Sequence, residues 1–159
     1  MSRSATVLTV STRAAAGVYD DLTGPVIADW CRSRGFTVDA SVTSDAGVAD
    51  AVSSAIDGAP DLLITTGGTG IAPGDSTPDA VRPLLDRELP GYGEELRRRG
   101  AVVSPRALLS RALAGVSGST LVVCLPGSPG GVSDGLDVLD GVLDHIIDQL
   151  GGGNHDAPE

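Results

Sequence analysis

Two rhythms of apolar residues run along this chain. Runs with period two, or with unbroken apolar character, predict strands over 5–11, 36–42, 62–65, 111–116 and 119–125. Spacings of three and four predict helices between them. Gly24-Pro25 opens a helix with Val26, Ile27, Trp30 and Cys31 on one face, and Gly35 closes it. Val48, Val52, Ala55 and Ile56 form the inward stripe of a helix over 48–56. Val81, Leu84 and Leu85 do the same over 77–87, where Pro83 predicts a kink or break. A charged helix over 94–99 and a short one from Ser104-Pro105 to Ser110 follow. The clearest stripe comes last, over 131–150. Val132, Leu136, Leu139, Val142, Leu143, Ile146, Ile147 and Leu150 share one face, and Asp134, Asp137, Asp144 and Asp148 lie largely off it.

Strands that alternate with helices predict an α/β fold with a mostly parallel sheet and helices on both faces. The last two strands meet at Ser117-Gly118, a weak hairpin signal that makes the sheet mixed. Residues 1–150 read as one domain, with no repeat and no linker, and the tail 151–159 is expected to be disordered.

Composition narrows the partners. The 159 residues carry a formal charge of −10, and every basic side chain is an arginine. Such a surface repels nucleic acid and anionic membrane. A phosphate site must then rely on local arginines, backbone amides and a metal ion. Cys31 and Cys124 show no CxxC spacing and read as buried free thiols in a reducing compartment. The N-terminus has one short apolar run and no cleavage pattern, and no stretch reaches membrane-spanning length, so a soluble cytoplasmic protein is expected.

The segment DLLITTGGTGIAPGDSTPDA over 61–80 carries the chemistry. A strand runs into Gly67, Gly68, Thr69 and Gly70; Asp75 and a helix start at Ser76-Thr77-Pro78 follow. Glycines let backbone approach a ligand, and helix starts present unpaired N–H groups. An acid beside an anion site needs a bridging cation. The pattern therefore predicts a phosphate-bearing substrate joined through Mg²⁺ to Asp75. The bland alternative is a plain strand-to-helix turn. Asp45 reads equally as a helix N-cap or a metal ligand. Thr77-Pro78, Ser104-Pro105 and Ser128-Pro129 each place a hydroxyl before a proline, the pattern of a helix start. Arg97, Arg98 and Arg99 read as a solvated charged face, Ser11 and Arg13 as closing the first strand, and Asp20 and Asp21 as surface acids. His145 and His155 read as structural or solvated, and with no Cys or His cluster nothing suggests covalent catalysis. A P-loop lysine is absent, which excludes a conventional P-loop NTPase.

TTGGTG followed by GDSTPDA resembles the signature of the molybdopterin-binding family of molybdenum cofactor biosynthesis. STRAAAGVYDDLTGP, PGYGEELRR, LLSRALAGV and CLPGSPGGV resemble further motifs of that family, in its order and spacing, from about Val7 to Leu150. The resemblance implies a three-layer α/β/α sandwich that assembles as a homotrimer. It implies transfer of AMP from Mg-ATP to the terminal phosphate of molybdopterin, with a molybdate-insertion protein as the downstream acceptor. By the same resemblance Asp75 and Asp45 are the catalytic acids and Mg²⁺ ligands. Gly67, Gly68, Thr69 and Gly70 are the phosphate loop, Pro126, Gly127 and Ser128 a second ligand loop, and Ser110 with Arg111 the L-S-R element. Ser11 belongs to the first-strand loop. Thr12 stands where the family commonly has an acid, and Gly130 where it has a lysine. Two rivals share the resemblance: a carrier that binds molybdopterin without adenylating it, and a nucleotide-hydrolysing or deamidating enzyme with a related domain.

Overall fold

The computed structural model describes residues 2–153. The tail expected to be disordered, and with it His155, lies outside the described residues from position 154 onward. Six strands form one sheet: β1 (Arg3–Val10), β2 (Phe36–Thr43), β3 (Leu62–Thr66), β4 (Arg87–Glu88), β5 (Leu113–Ser117) and β6 (Thr120–Leu125). Their order is β2-β1-β3-β6-β5-β4. The four strands β2, β1, β3 and β6 run parallel. β5 runs against both β6 and β4, so the sheet is mixed, as the hairpin signal predicts.

Side chains alternate across the sheet and build two cores. Val7, Ile64 and Val123 face one side, with Ile27, Cys31, Leu96, Leu136 and Leu139. Leu8, Leu63 and Val122 face the other, with Val48, Val52 and Val81. The first side is covered by α2 (Gly24–Ser33), α5 (Pro90–Val103), α6 (Pro129–Asp140) and α7 (Leu143–Leu150). The second is covered by α3 (Val48–Asp57) and the short α4 (Thr77–Val81). The result is the expected α/β/α sandwich. Among the described residues no helix is long and apolar enough to cross a membrane.

Several expected elements are reshaped. The helix foreseen over 77–87 is α4, then a 3₁₀ turn at Arg82–Leu84, then β4; Pro83 ends it, since it lacks an N–H and crowds the preceding turn. The charged helix begins at Pro90 and runs to Val103, far beyond 94–99. Its Tyr92 hydroxyl donates to Gly135 O at 2.8 Å, a buried bond that ties α5 to α6. The segment after Ser104 is a 3₁₀ turn (Pro105–Leu109). A four-residue helix, α1 (Thr12–Ala15), follows β1 where a loop was expected. The single helix over 131–150 is two helices separated at Gly141-Val142. An unbroken helix of that length spans roughly 30 Å, whereas a six-residue strand such as β6 spans roughly 20 Å, so the break keeps both apolar stripes on the sheet. On α2, Ile27, Ala28 and Cys31 are buried, Trp30 is half-buried and Val26 is exposed, so the inward stripe sits one step round from the expected one.

Candidate functional site: the carboxyl edge of the sheet

From β1 the chain goes outward to β2 and then returns to the other side for β3. Such a reversal marks the region at the carboxyl ends of β1 and β3, where open α/β sheets generally bind ligands. Gly67 lies in it with φ +101°, and a Cβ there would overlap the Val10 carbonyl oxygen. Gly127 packs against it, since a Cβ on Gly127 would stand 3.3 Å from Gly67 Cα. Gly68 has φ +68°, and a Cβ there would overlap the Thr77 hydroxyl. Only glycine suits either position.

Three carbonyls of the loop are tied into the protein. Gly68 O accepts from the Thr77 N–H at 3.2 Å, and Thr69 O from the Arg111 N–H at 2.8 Å. Gly70 O accepts from Arg111 Nε at 3.0 Å. The N–H groups of Gly68, Thr69, Gly70 and Ile71 donate to no protein acceptor among the described residues. Successive backbone amides left free in a turn are groups of the kind that bind anions.

Arg111 holds this loop from outside. Besides Gly70 O, its guanidinium donates to Asp75 O at 2.7 Å and to both carboxylate oxygens of Asp79 at 3.0 and 2.9 Å. One planar fork thus ties the start of the loop to its end. The Asp75 carboxylate accepts from the Ala72 N–H through Oδ2 at 3.1 Å, while its Oδ1 accepts no hydrogen bond among the described residues.

The second loop is anchored to the first. Thr66 Oγ1 donates to Pro126 O at 2.8 Å and lies 3.1 Å from the Thr23 hydroxyl. Ser128 Oγ accepts from the Gly131 N–H at 3.1 Å, so Ser128 caps α6 as its Ser-Pro pattern predicts. Ser104 likewise caps its 3₁₀ turn, through the Arg106 N–H at 3.3 Å. Thr77 breaks the rule: Ser76 is the cap residue of α4, and the buried Thr77 hydroxyl has no partner.

Thr69, Gly70, Ser110, Pro126 and Ser128 line one cavity of about 520 Å³. Its other walls are largely apolar, with Ile71, Leu96, Val103, Ala107 and Leu109, and Arg97 and Arg106 also reach it. That volume suits one small organic ligand. Gly67, Gly68 and Gly127 do not line it. Ser11, Asp45 and Asp75 do not line this cavity either; Asp75 sits on the far limb of the glycine loop, where its Oδ2 lies close to Gly70. Ser11 caps α1 through the Ala14 N–H at 3.1 Å. Asp45 is no cap, because Ser44 takes that role through the Gly47 N–H at 3.1 Å. Instead the Asp45 Oδ2 accepts from the Thr12 hydroxyl at 2.6 Å and the Thr12 N–H at 3.3 Å.

Two residues carry more than their sequence context signals. Asp21 is not a free surface acid: it accepts from the Thr9 hydroxyl at 2.8 Å and from the Gly24 N–H at 2.9 Å, fixing the start of α2. Its position three residues before Gly24-Pro25 is the signal that could have found it. Arg97 is not part of a solvated face. Arg98 and Arg99 pair with Glu95, holding its carboxyl down near 2, whereas Arg97 turns inward to Ser110 O at 3.2 Å and Ala112 O at 3.0 Å.

Among the described residues no three His, Cys, Asp or Glu side chains gather as a metal cluster. Mg²⁺ does not demand one, since it is commonly held by one or two carboxylates plus substrate phosphates. The Oδ1 atoms of Asp75 and Asp45 accept no hydrogen bond among the described residues, so the oxygen chemistry fits such an ion.

The profile of the family described as "Probable molybdopterin binding domain" matches residues 6–145. A molybdenum cofactor biosynthesis bifunctional protein of Chlorobaculum tepidum is 38% identical over 152 residues, which is 94% of this chain and 49% of that protein. The chain thus spans about half the length of that relative. A molybdenum cofactor biosynthesis protein B of Staphylococcus aureus is 47% identical over 93 residues, covering 57% of this chain and 55% of its own. Among solved structures, the molybdopterin biosynthesis Mog protein from Mycobacterium ulcerans superposes with a TM-score of 0.89 at 49% identity, covering 93% of this chain and 99% of that one. The MoaB enzyme from Thermus thermophilus gives 0.83 at 38% identity, covering 96% and 98%. With the profile spanning most of the sandwich and both glycine loops inside it, the chain belongs to the molybdopterin-binding domain family of molybdenum cofactor biosynthesis.

Proposed function

We propose that this protein is a molybdopterin adenylyltransferase, moving AMP from Mg-ATP to the terminal phosphate of molybdopterin and releasing pyrophosphate. The observation that carries the reading is the glycine loop. The Gly68, Thr69 and Gly70 carbonyls are tied to Thr77 and Arg111, the Gly68–Ile71 amides are unspent, and Thr69 and Gly70 line a cavity sized for a single ligand. Phosphoryl-type transfers ask a protein chiefly to align the reactants and to meet negative charge. Unspent amides at Gly68–Ile71 offer fixed dipoles toward phosphate oxygens with no reorganisation. The apolar walls suit the pterin body, and the Ser110 and Ser128 hydroxyls give polar contacts at the rim.

In this reading Asp75, with Asp45, would hold Mg²⁺, which would neutralise charge on the phosphate oxygens. Asp75 is the better placed acid, since its loop is the glycine loop itself. The assembly proposed is a homotrimer, and the product would pass to a molybdate-insertion protein. Exposed Val102 and Leu108, which do not line that cavity, support an association surface at the end of α5 and the turn after it.

Incubating the protein with molybdopterin, ATP and Mg²⁺ tests the reading. Adenylated molybdopterin and pyrophosphate are the expected products. Tight pterin binding with no product would support the carrier instead.

A further inference from the structure

Four of the chain's 11 arginines pair with no carboxylate among the described residues: Arg13, Arg87, Arg97 and Arg106. In a chain of net charge −10 such cations are unexpected. Arg13 lies 5.2 Å over the Tyr19 ring and donates to its hydroxyl. Arg97 and Arg106 line the cavity beside the glycine loop, and Arg97 also borders the neighbouring cavity with Gly93, Arg111 and Ala112, so it stands in the wall between the two. The one acid on the walls of the glycine-loop cavity, Asp134, forms no ion pair with either arginine.

Arg97 is half-buried and held in one orientation. Its Nη1 spends its protons on Ser110 O and Ala112 O. Its guanidinium lies close against Gly93, where a Cβ would stand 3.0 Å from both Nη1 and Nη2. Nε and Nη2 donate to nothing among the described residues. Two carbonyls orient a guanidinium but leave its charge unneutralised. A fixed, partly desolvated cation with a free edge is the arrangement that takes a phosphate in bidentate fashion.

We propose that Arg97, in the wall shared by the two cavities, is a phosphate anchor, taking the phosphate monoester of the pterin substrate on its Nε–Nη2 edge while the apolar walls of the glycine-loop cavity hold the ring. The ligand's identity rests on the molybdopterin reading above; the anion chemistry does not. A monophosphate suits the site better than a triphosphate, because the cavity brings only two cations, against one acid, to a largely apolar surface.

Calorimetry with two probes tests this: a 6-substituted pterin carrying a phosphate monoester, and its dephosphorylated form. The wild-type protein should prefer the phosphorylated pterin. Arg97→Gln should weaken that pterin by roughly ten- to hundredfold while leaving the dephosphorylated one nearly unchanged, the range for a charge-assisted bond. Arg97→Lys, which keeps the charge and loses the fork, should recover part of the loss. Equal weakening of both probes, with a lowered melting temperature, would make Arg97 a strut for the Ser110 and Ala112 carbonyls and overturn the inference. So would a wild-type protein indifferent to the phosphate. Phosphate-dependent binding that Arg97→Gln abolishes, in a protein that makes no adenylated product, would end the transferase reading and leave this one standing.

Discussion

The Thr12 hydroxyl donates to Asp45 Oδ2 at 2.6 Å and accepts from the Asp45 N–H at 3.1 Å. The first residue of α1 and the loop after β2 are therefore locked by a reciprocal pair. Thr12 thus orients the neighbouring acid. Thr12→Val keeps the shape and removes the hydroxyl. It should cost about 1 kcal/mol of stability, read from urea unfolding. If Asp45 helps hold Mg²⁺, the Mg²⁺ concentration for half-maximal adenylation should rise several-fold. An unchanged Mg²⁺ dependence in Thr12→Val would remove Asp45 from the metal site.

Asp75→Asn preserves size and deletes the charge. The bond from the Ala72 N–H to the side chain survives, because an amide oxygen also accepts. Adenylation is expected to fall by at least about a hundredfold, with pterin binding and melting temperature nearly kept. Turnover near the wild-type rate in the folded variant would take this acid out of the chemistry.

Gly68→Val meets two obstacles, a φ of +68° and the Thr77 hydroxyl. It should weaken pterin and nucleotide binding far more than Ala49→Val on the exposed face of α3. It should also lower stability by more than 1 kcal/mol, the scale on which a side chain is forced into the left-handed region. Calorimetry and urea unfolding on the same preparations separate the two effects; equal binding losses in both variants would favour a plain turn.

Burial pushes the Cys31 thiol from 9.0 up to about 11 and the Cys124 thiol from 9.0 up to about 12. Both side chains are buried and neither forms a disulfide. The folded protein thus keeps its thiol protons to higher pH than the unfolded chain. The stabilising contribution is fully present below pH 9 and is lost as pH rises through 11 and 12. Iodoacetamide at pH 8 should leave both thiols of the native protein unmodified for hours and alkylate both in denaturant. Rapid native alkylation would show that the cores open readily.

A trimer should persist at low ionic strength, where repulsion from −10 charges per chain is least screened. The contact must then be sizeable and apolar. Light scattering on dilute protein in low salt reads this directly, and a monomer mass would remove the trimer.

Local rules made much of this legible. The central strands β3 and β6 are largely apolar, fully buried runs, and such runs announce themselves without tertiary knowledge. Gly67 and Gly68 were legible for a similar reason, because a positive φ admits few other residues. Ser128 and Ser104 were read as caps from one dipeptide pattern, and that pattern is local by nature. At Thr77 the same pattern misled, since the close approach of Gly68 sequesters the hydroxyl.

What the chain's order of residues could not convey is which polar group meets which across long separations. Arg97, Arg98 and Arg99 are chemically identical neighbours, and only the rotation of α5 against the start of β5 turns the first inward and leaves the other two on Glu95. Arg111 reaches Gly70, Asp75 and Asp79 across more than thirty positions of sequence. The break at Gly141-Val142 likewise answers to the length of the sheet beneath it, not to the apolar period, which runs on unbroken. Periodicity and backbone sterics act between near neighbours and are written in the chain. Charge pairing, the unspent amides and the cavity exist only once distant segments have packed, because each depends on what the packing leaves unsatisfied.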